Sequence, residues 1–435
     1  MVGILISFIV VVSSVILLVR LRFFLFLSFH KILALFCSAM RRREARYAFL
    51  LALSGTLGIG NIVGVAVGLI MGGAGSVFWI FISSFFSMVL KYAEASLSSQ
   101  TGRKRGYGMI SLIEKSYVKC GAFLSRIYAV LCILLSFIMG AVLQSSGVCS
   151  SVSEITGINI IVVGVLLCLC IVAAVSFKKI GIVKIVSWLV PIASILYLIL
   201  CFWCILNGFN NLSNALSNIF HSAFKPTSFR GGIIGFIVSS GIKEGFSRGL
   251  LSNEAGAGTS TLAHGTNSVS SSAEAGVLGM GEVVIDTVVF CPLTALSILV
   301  SIPDVCAYNS GIGLILDSLG KTFEGAKILL SLCIFVFAYA TVICWFYYGT
   351  LAVKYVFRRA GRAFSVLYIL SVLLGAVIGD IFAVVLTDSV LLLLTIITSL
   401  TLIKCSDSLV ELSEHDGLLK PRLKYRVKPS LHPQK

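Results

Sequence analysis

Charge is scarce in this sequence. Only 12% of its 435 residues are Asp, Glu, Lys or Arg, and 18 are acidic, too little polar surface to coat a soluble globule. Five scattered histidines offer no metal-ligand spacing, which argues against a metalloenzyme. HExxH does not occur, and no histidine stands with an aspartate beside a plausible nucleophile, so an intramembrane hydrolase finds no support. LGKT (Leu319 to Thr322) ends like a phosphate loop, but six residues separate Gly313 from Gly320 where a P-loop has four. A basic leader is missing too. The first arginines, Arg20 and Arg22, follow the first apolar stretch, which therefore reads as an anchor beginning outside and not as a cleaved signal.

What is abundant is apolar sequence, 58% of the chain with a mean hydropathy of +1.03, and the expectation is an all-α integral membrane protein. The thirteen cysteines sit mostly within apolar runs, including Cys201 and Cys204 of CFWC, and read as small hydrophobes. A net charge of +16 would suggest nucleic acid in a soluble chain; here the basic residues fall between apolar runs, where they report topology. A span needs about 20 apolar residues. Eleven candidates cover 2–19, 47–71, 75–99, 122–148, 157–176, 182–206, 231–250, 275–301, 327–353, 364–380 and 382–403. With the N-terminus outside, 29 of the 34 Lys and Arg fall at inside ends, Lys243 and Arg248 among them, and the C-terminus is cytoplasmic.

Ten spans after the first divide as five and five with opposite starting directions, which permits an inverted repeat. The expected organisation is an N-terminal helix with a basic linker (1–45), a first five-helix repeat (46–207), a second (208–404) and a basic cytoplasmic tail (405–435). Each repeat opens on an interrupted segment: SGTLGIGNIVG in the first, GGIIGFIVSSGIKEGFSRG in the second. Interrupted segments at corresponding positions point to a transporter's midplane binding site. At such a break, freed carbonyls can hold a cation and exposed amides a carboxylate. Gly58, Ile59 and Gly60 are therefore expected to offer backbone groups to a substrate, and Asn61 a side-chain oxygen to an ion; Ser239, Ser240 and Gly241 are the substrate-binding candidates of the second segment. Gly64 and Gly68 read instead as close helix packing. Lys91 and Glu94, three apart, read as an ion pair, and Asp286 as an intramembrane carboxylate with a function.

GIGNIVGVAVGLIMGGAGSVFWIF (Gly58 to Phe81), SFKKIGIVKIVSWLVPIASILY (Ser176 to Tyr197), RGLLSNEAGAGTS (Arg248 to Ser260), EVVIDTVVFCPLTAL (Glu282 to Leu296) and FAYATVICWFYYG (Phe337 to Gly349) resemble, in order, the motifs of the sodium:alanine symporter family. The resemblance covers about residues 46 to 350. It implies a leucine-transporter-like fold with a 5+5 inverted repeat and one extra N-terminal helix, in the cytoplasmic membrane of a prokaryote. It also implies symport of a small neutral amino acid, alanine or glycine, with Na+ as coupling ion, no other cofactor and no enzymatic activity. Proton coupling through Glu282 or Asp286, with another neutral amino acid as cargo, is the alternative. By this resemblance Asp286 and Thr287 belong to an ion site, Thr341 to a second ion site with carbonyls of the first broken helix, and Gln144 faces the substrate. Asn253 and Glu254 brace helices. The sequence departs from the family pattern at Ala340, where a serine is usual, at Ala141 and Ser146, where asparagines are, and in the last span, which keeps Asp388.

Overall fold

Within a bilayer a backbone must satisfy its own hydrogen bonds, and apolar runs of this length do so as helices. The computed structural model describes residues 2–102, 106–176, 179–224, 240–264, 271–357 and 360–421, and no strand occurs among them. In chain order the helices are α1 (Val2–Arg20), α2 (Phe24–Leu27), α3 (Phe29–Arg41), α4 (Arg43–Thr56), α5 (Val63–Gly72), α6 (Gly75–Gly102) and α7 (Gly108–Ser116). There follow α8 (Gly121–Leu135), α9 (Gln144–Thr156), α10 (Ile160–Ser176), α11 (Lys179–Asn207) and α12 (Phe209–Ala223). The second half has α13 (Ser240–Asn253), α14 (Thr261–His264), α15 (Ser272–Val283), α16 (Cys291–Ser301) and α17 (Gly311–Gly320). The last are α18 (Ala326–Val356), α19 (Gly361–Gly375), α20 (Asp380–Lys404) and α21 (Ser406–His415).

Among the described residues, seven helical stretches are long and apolar enough to cross a membrane, and the pair α4 and α5, bent by 60° at its break, makes an eighth if taken as one span. Two of the eleven expected spans, 157–176 and 364–380, appear as the shorter apolar helices α10 and α19. Residues 231–239, Ser239 among them, lie outside the described residues, as does most of the basic tail. Lys243 and Arg248 are not at a loop. They sit inside α13, which runs on to Asn253.

Glycine decides how the broken helix packs. A methyl group at Gly64 would lie 3.5 Å from Leu251 Cδ2, one at Gly68 2.8 Å from Arg248 Cγ and one at Gly72 2.9 Å from Glu244 Cβ, so α5 runs antiparallel to α13 along a four-residue glycine repeat. The other side of α13 presents glycine to α6: a methyl at Gly245 would stand 2.6 Å from Ser76 O and one at Gly249 3.4 Å from Ile80 O. The expected packing role of Gly64 and Gly68 corresponds to this seam.

Two spans carry a π-helical turn, Ser136–Leu143 between α8 and α9 and Val284–Phe290 between α15 and α16. Such wide turns free carbonyls and recur at functional sites. Behind the second, Tyr197 stacks on Phe290 with centroids 5.7 Å apart and bonds Thr294 at 2.7 Å. All thirteen cysteines are free thiols, with Cys201 and Cys204 buried.

Lys91 does not pair with Glu94. Its ammonium lies 3.1 Å from Glu282 Oε2 on α15 and 2.8 Å from Ser260 Oγ in the turn before α14, because burial leaves a helical i, i+3 neighbour no advantage over polar groups brought by packing. At the ends of the chain, Arg20 pairs with Asp407 at 2.7 Å, Arg22 with Glu414, and Lys31 donates to Gly417 O at 2.8 Å; Asp416 accepts the amide of Ala273 at the start of α15. The N-terminal linker and α21 are thereby fastened together.

Candidate functional site

The break between α4 and α5 is buried throughout. Gly58 is extended, with φ −121° and ψ −154°, and Ile59–Asn61 form a single 3-10 turn before the helix resumes. On the carbonyl side, Thr341 Oγ1 donates to Ser54 O at 2.9 Å and lies 3.3 Å from Leu57 O; Trp345 Nε1 donates to Gly55 O and Cys344 Sγ to Leu51 O, both at 3.3 Å. Thr341 thus stands where carbonyls of the broken helix converge. Ala340 beside it contributes no oxygen.

On the amide side, Ile59 N–H donates to Gln144 Oε1 at 2.9 Å, while Gln144 Nε2 reaches Met139 O at 3.2 Å within the π turn. Gln144 is therefore held at both ends of its amide. The glycine at 58 is required by this contact: an added methyl would sit 2.7 Å from Gln144 Oε1 and 2.9 Å from Thr341 Oγ1. Gly60 is different. A methyl there would meet Leu251 O at 3.7 Å, ordinary van der Waals contact.

A second cluster forms around Asp286, at the π turn and fully buried. Asn61 Nδ2 donates to its Oδ1, Thr287 Oγ1 to its Oδ2 at 2.9 Å, and Ser252 Oγ lies 2.5 Å from Oδ2 and 3.1 Å from Asn61 Oδ1. Asn253 Nδ2 donates to Thr287 Oγ1 at 2.9 Å and its Oδ1 accepts the amide of Ala255. Three elements meet here: the first break, the end of α13 and the π turn. The oxygens of Asn61, Asp286 and Thr287 form one carboxylate among neutral donors, the composition a monovalent hard cation accepts. No group of three or more His, Cys, Asp and Glu suited to a metal occurs among the described residues.

The structure brings Gly58, Ile59, Gln144 and Thr341 together at one side of the break, and Asn61, Asp286 and Thr287 at the other. Ser240 and Gly241 stand apart. They lie against Gly72 and the start of α6, with Ser240 exposed, a helix length of α5 from the break. Ser252 and Asn253 are the residues that sequence reasoning undervalued. Both carry the donors that orient Asp286 and Thr287, and their place in SNEAG, directly after an apolar turn, was the available signal. Glu282, an alternative proton carrier, is committed to Lys91.

The model of the sodium:alanine symporter family matches residues 1–415. The sodium/alanine symporter AgcS of Methanococcus maripaludis is 28% identical over 345 residues, 76% of this chain and 74% of that protein. The sodium/proton-dependent alanine carrier protein of Bacillus sp. (strain PS3) is 26% identical over 345 residues, 74% and 75% of the two chains. The crystal structure of MhsT in complex with L-phenylalanine superposes with a TM-score of 0.59 at 14% identity, covering 81% of this chain and 87% of that one, a likeness of fold. This all-helical membrane protein with a leucine-transporter-like fold belongs to the sodium:alanine symporter family.

Proposed function

We propose that the protein is a secondary transporter that moves a small neutral amino acid, alanine or glycine, into the cell together with Na+. The observation that carries this reading is the junction of Asn61, in the first broken helix, with Asp286 and Thr287 of the π turn, sealed from solvent beside a backbone amide at Ile59. A cation at Asp286 neutralises a carboxylate that burial otherwise disfavours. A substrate carboxylate suits the Ile59 amide in exchange for the Gln144 oxygen, and Gly58 leaves the approach clear. Thr341 and the Ser54 and Leu57 carbonyls are the second place for a cation, weakened by alanine at 340. Ser240 and Gly241 fit an access path better than the binding pocket. The basic loops favour the N-terminus outside and the C-terminus in the cytoplasm. Each positive charge moving inward gains about 2.3 kcal/mol per 100 mV. Uptake of labelled alanine into proteoliposomes under an inward Na+ gradient, against matched choline, is the test: accumulation only with Na+ is expected. Equal uptake in choline, driven by a proton gradient, removes Na+ coupling and transfers the role of Asp286 to a proton.

A further inference from the structure

Four ionisable side chains lie together in the interior, each at most 1% exposed: Lys91 and Glu94 on α6, Glu254 in the turn after α13, and Glu282 on α15. Lys91 balances Glu282 across 3.1 Å. Neither of the other two carboxylates has a cation within ion-pair distance among the described residues. Glu94 Oε1 accepts the amide of Gly256 at 2.7 Å, and Glu254 Oε2 accepts the hydroxyl of Thr259 at 2.5 Å. Glu94 Oε2 and Glu254 Oε1 are buried with no hydrogen-bond partner. Glu254 is moreover held at φ +55°, the left-handed region a side chain usually avoids, so the turn fixes it there against a local backbone preference.

We propose that Glu94 and Glu254 form a proton-binding site, occupied at neutral pH. A buried ionised carboxylate without a counter-charge takes up a proton instead, and here two carboxylates remain after Lys91 and Glu282 are paired. The identity of the ligand follows from the open valences. A metal cation needs a shell of several oxygens, whereas this cluster has two open oxygens and otherwise turns N–H and O–H donors inward. A proton needs one lone pair. The remaining titratable groups around the two carboxyls are Lys91, Glu282 and Asp286, Tyr128 and Cys132 of α8, and Cys344 and Tyr348 of α18; of these only Lys91 carries positive charge, and it is engaged. Binding is simple protonation from bulk water, –COO⁻ plus H⁺ giving –COOH. Its consequence for transport, which rests on the symport reading, is that Na+-driven uptake falls as alkali removes the proton.

Infrared spectra of the full-length protein in lipid, taken from neutral to alkaline pH in H2O and D2O, read the proton directly. The expected result is a protonated-carboxyl C=O band at neutral pH that shifts in D2O and vanishes in alkali. Its intensity should drop in Glu94→Gln or Glu254→Gln, substitutions that imitate the neutral acid. A wild-type protein with no such band, or undiminished wild-type intensity in both variants, overturns the proposal; if a variant does not fold, the wild-type titration still decides. The uptake arm is separate. A flattened pH profile in the variant that loses the band supports the transport consequence, and an unchanged profile overturns that consequence. Protein that transports nothing leaves the infrared result standing.

Discussion

Substituting Gly58 by alanine tests the amide side of the site, with Gly60→Ala as its matched control. At Gly58 the new methyl carbon would sit 2.7 Å from Gln144 Oε1 and 2.9 Å from Thr341 Oγ1, against an optimum of about 3.5–4.0 Å for such contacts. Both neighbours are fixed by hydrogen bonds, Gln144 to Ile59 and Met139, Thr341 to Ser54, so neither yields freely. Overpacking of this kind costs about 1–3 kcal/mol. In the proposed exchange the substrate carboxylate takes the place of Gln144 Oε1 at the Ile59 amide, so the methyl crowds the bound state, and about 1–3 kcal/mol there weakens binding roughly 5- to 160-fold. The backbone torsions at Gly58 suit any residue, so the effect is steric and not conformational. Gly60→Ala places its methyl 3.7 Å from the nearest atom and is expected to change affinity less than about threefold, within 0.7 kcal/mol. Equilibrium binding of labelled alanine to purified protein, with thermal unfolding to confirm the fold, measures both. Wild-type affinity in Gly58→Ala, or equal losses at the two positions, refutes the argument.

Asp286→Ala leaves the donors of Asn61, Ser252 and Thr287 facing no acceptor, and each buried orphan costs about 1–3 kcal/mol; Asp286→Asn keeps the shape and removes the charge. The expected outcome for Asp286→Asn is a rise of at least tenfold in the Na+ concentration giving half-maximal uptake, and an unchanged Na+ curve in folded protein would remove the aspartate from the ion site. For the buried pair, Lys91→Met alone should lower stability by about 3–5 kcal/mol by stranding Glu282, and Lys91→Met with Glu282→Gln should recover most of it. Thermal unfolding of the single and double variants in one detergent measures this; a double variant no more stable than the single one contradicts the pairing.

Much of the architecture was legible because bilayers impose a blunt code. Runs of apolar residues become helices, and a GxG with an asparagine inside such a run marks a break, as Gly58 to Asn61 do. Partners across helices were harder. Lys91 and Glu94 obey the helical spacing for a pair, yet Lys91 turned to Glu282, 191 positions away, since spacing along one helix says nothing about what a neighbour presents. The two glycines of GxG look equivalent in sequence, but only Gly58 faces side chains that leave no room. Ser252 and Asn253 are polar residues in a small-polar run, and their aim at Asp286 and Thr287 depends on where α13 ends. Ser240 and Gly241 were assigned by analogy between repeats, and their place beside Gly72 follows from the antiparallel course of α13 along α5.

That course has a mechanical meaning. The glycines of α5 give α13 a face without side chains, on which Leu251, Arg248 and Glu244 rest, so sliding one helix along the other disturbs few rotamers on the α5 side. The seam from Gly60 to Gly72 behaves as a smooth bearing, interrupted at Gly68 by Arg248, whose guanidinium is moored 2.5 Å from Asp388 on α20. Travel along the bearing thus meets the Arg248–Asp388 ion pair, while Asn61 and Ser252, which both bond Asp286, ride on the sliding parts.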